Sequence, residues 1–269
     1  MEEGNLSNMP KSVSFELLKK LSPLLKTNIC QIECKGGKHG TGFFCTIPYG
    51  WNTLKVLITN NHVLNKDDIL PNKKIKFSRN DDDKQYEIEI DNSRNTYTNE
   101  DNDVTIIEIR ENDKIEKKAF FEIDNEIFDE NVIEKYTSDE NNQIYLLHYP
   151  VEKMSISVGK IININKDSYI IQHLCDTRDG SLGGPLLNSN LQVIGIQKGD
   201  GEGNYNLGIL LKEPIEKFTE EKKKKEENKK EEGIKENENK NNEKNNENKG
   251  NNKLNNKEEL IEDEMGYNK

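Results

Sequence analysis

Apolar and polar positions alternate over short runs through most of this chain, and the period lengthens only towards the two ends. Between residues 11 and 26, Phe15, Leu17, Leu18, Leu21, Leu24 and Leu25 recur at helical spacing, with Pro23 among them. That pattern predicts a helical entry segment packed on the outside of a domain. From Asn28 onward the runs are short and rich in Ile, Val, Tyr and Phe, with turn-forming clusters between them, as strands require. Runs near residues 28–34, 41–47, 54–59, 73–78, 85–91 and 103–109 make a first set of about six strands. A loop-rich stretch from Glu111 to Asn142 follows, with Phe120-Phe121-Glu122-Ile123 as its most strand-like part. Runs at 143–149, 154–162, 168–174, 185–187, 191–197 and 205–211 make a second set. Each set suits one six-stranded antiparallel barrel, so the expected fold class is all-β with two such β-barrels. The expected divisions are an N-terminal extension over 1–27, a first barrel over 28–112, a second over 113–215 and a tail over 216–269.

Composition changes the picture mainly in that tail. The chain has 269 residues and a formal net charge of −11. Its last 54 residues are dominated by Lys, Glu and Asn, with 16 acidic and 14 basic side chains, so most of the negative charge belongs to the remainder. A segment so poor in apolar side chains cannot offset the roughly 1 to 2 kcal/mol per residue needed to order a backbone. Disorder is expected there, with a helix continuing from Glu213 through Glu220 to Lys230, supported by Glu and Lys four residues apart. An acidic chain without a basic stripe argues against nucleic acid as a partner. No apolar run reaches the 18 or so residues a membrane helix needs, so no membrane partner is expected, and the acidic N-terminus has no apolar stretch of the signal-peptide kind.

Four cysteines, Cys30, Cys34, Cys45 and Cys175, are too few and too unevenly placed for a disulfide framework, which predicts an intracellular, cytoplasmic protein. Cys30, Cys34 and Cys45 with His39 between them do not have zinc spacing, and the thiols fall in strand-like runs where they behave as small apolar groups. Neither a metal nor a cofactor is expected.

The chemistry is concentrated in four segments. They are Gly40-Thr41-Gly42-Phe43-Phe44-Cys45 followed by Val56-Leu57-Ile58-Thr59-Asn60-Asn61-His62-Val63-Leu64; Asp103-Val104-Thr105-Ile106-Ile107-Glu108-Ile109; Arg178-Asp179-Gly180-Ser181-Leu182-Gly183-Gly184-Pro185; and Leu191-Gln192-Val193-Ile194-Gly195-Ile196. Together and in this order they resemble the trypsin-like (chymotrypsin-fold) serine peptidases, over roughly residues 28 to 211. The resemblance implies His62 as the general base and Asp103 as the group that holds its ring in one tautomer. It implies an oxyanion hole from the backbone N–H groups of Gly180 and residue 182, and a groove between the barrels that takes a peptide or protein.

The chain departs from the family at the centre of the third segment. Counted from Gly180, the nucleophile's place is taken by Leu182, which has no proton to give up and no lone pair to attack with. Ser181 occupies the variable position before it. The expected function is therefore a catalytically degenerate peptidase domain that retains a peptide-binding cleft. Two alternatives stand beside it: an active serine endopeptidase with Ser181 as nucleophile on a rearranged loop, and an interaction scaffold acting through the charged tail. Family resemblance further implies substrate contacts at Asp176, six residues before Leu182, and at Gln197 and Gly199 on the cleft wall. Asp176 would favour basic groups and neighbouring Lys198 acidic ones, so no specificity follows. His148 and His173 are expected to be strand residues with ordinary partners.

Overall fold

In the computed structural model, which describes residues 12–37, 39–79 and 84–230, the sequence runs become strands close to where the alternation places them. The tail beyond residue 230 and the acidic first residues lie outside the described part. All strands among the described residues lie in the unit that ends at Thr219. Helix α1 (Phe15–Thr27) starts at Ser14, whose hydroxyl accepts the Leu17 N–H, and it buries Leu21 and Leu25 against the sheets despite carrying Pro23. A short helix α2 (Val132–Thr137) interrupts the loop-rich middle. Residues 212–230 form α3, which sends Ile215 and Phe218 into the main core.

The first sheet contains β1 (Ile29–Glu33), β2 (His39–Tyr49), β3 (Asn52–Thr59), β4 (Lys73–Ser78), β5 (Gln85–Ile90), β6 (Thr96–Asn99) and β7 (Val104–Glu108). Their order is β5-β4-β1-β2-β3-β7-β6, all antiparallel. A two-residue strand, β8 (Phe121–Glu122), lies beyond the boundary expected at residue 112 yet pairs in parallel with β2 through Cys45 and Thr46. The second set contains β9 (Gln143–His148), β10 (Ser155–Ile164), β11 (Ile170–His173), β12 (Pro185–Leu187), β13 (Val193–Asp200) and β14 (Asn206–Leu210). These close into a six-stranded barrel in the order β10-β11-β14-β13-β12-β9.

The fold is thus mostly β with few helices, but only the second set closes its ladder; the first is an open half-barrel. Arg94, on the β5–β6 turn, ties two strands of this half together. Its guanidinium donates to the Glu89 carbonyl at the end of β5 (2.8 Å) and to the Glu108 carbonyl at the end of β7 (2.7 Å). It also forms a two-pronged pair with Asp113 at 2.7 and 2.8 Å, and both side chains are almost wholly buried. One buried side chain thus satisfies carbonyls at the ends of two strands that are not neighbours in the ladder. Two apolar clusters fill the structure. One, around Phe44, Leu57, Phe77 and Ile107, lies within the first sheet; the other runs from Phe43 and Ile58 into the second barrel through Leu146, Leu186 and Ile196. The second cluster makes the two β halves one packed body and fixes the cleft that they share.

Candidate active site

Strand β3 is apolar and buried over Val56–Ile58 and ends at buried Thr59, and the chain then turns sharply. The turn is closed by the Asn60 carbonyl, which accepts the N–H groups of Val63 and Leu64, and it lifts His62 out of the core. Asp103 stands one residue before β7, in a left-handed backbone conformation with φ of 54°. A non-glycine residue pays for that conformation and keeps it only where its surroundings enforce it. Here the Asp103 N–H is held by the Glu100 carbonyl at 3.1 Å, and the Asp103 carbonyl accepts from the Asn60 carboxamide at 2.8 Å.

The turned backbone aims both carboxylate oxygens at one residue. One accepts the His62 backbone N–H at 3.0 Å and the other meets His62 Nδ1 at 2.7 Å. An ionised carboxylate only accepts, so Nδ1 carries the proton, and in the neutral ring Nε2 is left with a free lone pair. The His62 side chain is 44% exposed and that of Asp103 13%, which gives a base open to the cleft and an orienting acid behind it. That arrangement can take a proton from a hydroxyl or from water.

The third segment supplies the facing wall. Gly180 and Gly183 both have left-handed backbones, with φ of 90° and 89°. Methyl groups at these positions would overlap the carbonyl oxygens of Tyr149 and Thr41 respectively, so the segment needs glycine at both. Between them Ser181 is fully buried, and its Oγ accepts the Arg178 N–H at 2.9 Å. Its backbone is tied as well, N–H to Arg178 and carbonyl to Gly184. Leu182 is half-buried and lies on the wall of a cavity of about 660 Å³, along with Gly180, His62, Val63, Tyr149 and Val151. Ser181 does not line that cavity. Among the described residues, the Gly180 and Leu182 N–H groups have no hydrogen-bond acceptor.

His62, Asp103, Gly180 and Leu182 therefore come together, whereas the other sequence candidates lie elsewhere. Asp176 is exposed on a second cavity of about 500 Å³, beside His148, Ser157 and Arg178. Gln197 is fully buried, pairing with His173 Nε2 at 2.7 Å and donating to the Gly199 carbonyl at 3.1 Å. His148 is buried against Ser157, with Nε2 to Oγ at 3.0 Å. Burial lowers the pKa of His148 to about 4 against the opposing pull of Asp176, and burial lowers that of His173 to about 4 against its bond from Gln197. Both are neutral near pH 7. The four cysteines are free thiols, and among the described residues no three His, Cys, Asp or Glu side chains cluster closely enough to hold a metal. No helix among the described residues is long and apolar enough to cross a membrane. Sequence reasoning passed over Asn60 and Thr41, whose only signal is their place inside two motifs already in view.

A β half carrying a His–Asp pair thus faces a glycine-bounded loop on a closed β-barrel, an arrangement of the trypsin-like peptidase type of fold. The family profile for the trypsin-like peptidase domain matches residues 40–196, and the chain belongs to that family. Among solved structures it is similar to a serine endoprotease from Yersinia pestis, with 13% sequence identity, a TM-score of 0.53, and coverage of 79% of this chain and 68% of that one. It is also similar to the Rv3671c protease of M. tuberculosis in its inactive form, with 17% identity, a TM-score of 0.50, and coverage of 75% and 93%. At these identities the likeness speaks for the fold. No curated protein matches the chain significantly.

Proposed function

We propose that this trypsin-like serine peptidase domain is catalytically degenerate, with Leu182 standing where the family places its nucleophile, and that its cleft binds an extended peptide without cutting it. One observation carries the reading: Leu182 shares the cavity wall with His62, while Ser181 is sealed in the loop with its hydroxyl engaged by the Arg178 N–H. With leucine at the nucleophile's place, His62 has no serine hydroxyl there to activate, and no acyl-enzyme forms through that position. Removing the nucleophile from a protease of this mechanism costs about a million-fold in turnover, which leaves binding as the useful property of the site. The His62–Asp103 pair and the unengaged N–H groups of Gly180 and Leu182 supply polar contacts for a peptide backbone, and Val63, Tyr149 and Val151 supply apolar ones.

The test is labelling by a fluorophosphonate, which reports an activated serine. The unmodified protein should stay unlabelled, and Leu182→Ser should become labelled in a manner lost on further substitution of His62→Ala. Labelling of the unmodified protein that disappears in Ser181→Ala would replace this reading with an active peptidase that uses Ser181.

A further inference from the structure

The loop that decides between Leu182 and Ser181 belongs to the second β half, yet one residue of the first half grips it on both sides of Ser181. Thr41, in β2, is completely buried. Its N–H donates to the Leu182 carbonyl at 3.0 Å, and its hydroxyl donates to the Gly180 carbonyl at 2.7 Å. The same hydroxyl accepts the Tyr149 N–H at 3.2 Å, so one oxygen joins the loop to the segment after β9. The Thr41 carbonyl is not spare either. It accepts the Thr59 hydroxyl at 2.8 Å and lies where a side chain at Gly183 would have to go.

We propose that Thr41 is a positioning residue that locks the register of the Gly180–Gly183 loop, fixing residue 182 on the cleft wall and residue 181 inside. This deepens the reading of Leu182 given above and rests on it. Bringing the Ser181 hydroxyl to the cleft requires the backbone around it to turn. Thr41 holds the carbonyl of the residue before it, Gly180, and that of the residue after it, Leu182. Turning them would strand a buried N–H, a buried hydroxyl and two carbonyls away from water, each at the cost of an unmade hydrogen bond. The clasp also explains why a serine next to the nucleophile's place does not substitute for it. The backbone N–H of Thr41 holds the Leu182 carbonyl whatever the side chain; the side chain's own share of the grip is the hydroxyl's, on the Gly180 carbonyl and the Tyr149 N–H.

The experiment is amide hydrogen exchange on the full chain for the unmodified protein, Thr41→Val and Thr41→Ser. Valine keeps the shape and loses the hydroxyl; serine keeps the hydroxyl and loses the methyl. In Thr41→Val the amides of Ser181, Gly183 and Gly184 should exchange about tenfold faster or more, the factor expected when a buried donor and acceptor lose their partner. Those of β10 and β11 should be unchanged, and Thr41→Ser should keep loop exchange within about twofold of the unmodified protein. Loop exchange in Thr41→Val equal to that of the unmodified protein would overturn the proposal. So would Thr41→Ser loop amides that exchange about tenfold faster than those of the unmodified protein, and this arm decides the matter even if Thr41→Val does not fold. The result is independent of fluorophosphonate labelling: a labelled unmodified protein sinks the Leu182 reading, whereas the exchange rates judge the clasp alone.

Discussion

The two β halves build their sides of the cleft from different materials. The first half contributes side chains, an imidazole and a carboxylate that touch at 2.7 Å and rest on a strained left-handed Asp103. The second contributes backbone, a loop whose shape is set by two left-handed glycines and by carbonyls held from outside. The difference teaches where such a site can lose its chemistry without losing its form. A leucine at position 182 disturbs none of the loop's hydrogen bonds, because none uses that side chain. Replacing Asp103 would unpair His62 and remove the acceptor of its backbone N–H as well. If Leu182 stands at the nucleophile's place, as proposed, the substitution fell where the architecture is least sensitive to it.

The most damaging way to break this comparison is to put a side chain into the backbone-built half. Gly183→Ala would force a left-handed residue to carry a Cβ that overlaps the Thr41 carbonyl oxygen. We expect a loss of about 3 kcal/mol of stability or more, the scale of backbone strain combined with a buried clash, seen as a lower urea midpoint. An unchanged midpoint would mean that the loop does not hold the conformation described. Alanine at Gly199, by contrast, meets no atom within contact distance and lacks the positive φ, so it should be nearly silent.

The histidines sharpen the contrast on a smaller scale. His62, in the first half, is open to solvent, whereas His148 and His173, both on strands of the closed barrel, are buried and hold pKa values of about 4 against an ordinary 6.5. In the pH window between those values the unfolded chain binds protons at these two positions and the folded chain does not. Stability therefore rises with pH through the window, and acidification from pH 7 towards 4 removes it. Each group contributes on the order of 3 kcal/mol over that span. Thermal midpoints measured between pH 7 and 4.5 should fall, and His148→Gln should make the fall shallower. An equally steep fall in the double variant with His173→Gln would assign the acid sensitivity to other groups.

Much of this was legible in the sequence, for reasons that also mark where legibility stops. Short, mostly apolar runs such as Val56–Thr59 and Val104–Ile107 announce strands buried on both faces, and they lead into or out of His62 and Asp103. Strand β6 escaped because Thr96-Tyr97-Thr98-Asn99 is only four residues long and flanked by Asn, Arg, Asp and Glu. The role of Arg94 was not legible, since its partners Asp113 and Glu108 lie 19 and 14 residues away. Gln197 looked like a cleft residue from its motif, but its partner His173 lies 24 residues earlier, on another strand, and no local pattern announces that pairing.

The mildest test bears on the side-chain-built half. Asn60 closes the His62 turn with its carbonyl and holds the Asp103 carbonyl with its side-chain N–H, yet its own Oδ1 is buried and has no hydrogen-bond partner among the described residues. A structural residue with half of its carboxamide unsatisfied is a poor choice for stability alone, because that oxygen costs about as much as an unmade hydrogen bond. Retaining it makes sense if its N–H is needed to keep Asp103 left-handed. Asn60→Ala removes one buried acceptor problem and creates another at the Asp103 carbonyl, so the net loss of stability should be small, about 1 kcal/mol. The effect on the site should be larger than that figure suggests. Freed from Asn60, Asp103 can relax towards ordinary φ values and turn its carboxylate away, so the His62 Nδ1–H proton should lose its downfield NMR position and exchange faster with water. If that resonance survives Asn60→Ala unchanged, the pair holds its geometry through the Glu100 turn and the His62 backbone alone, and the first half is as robust to side-chain loss as the second.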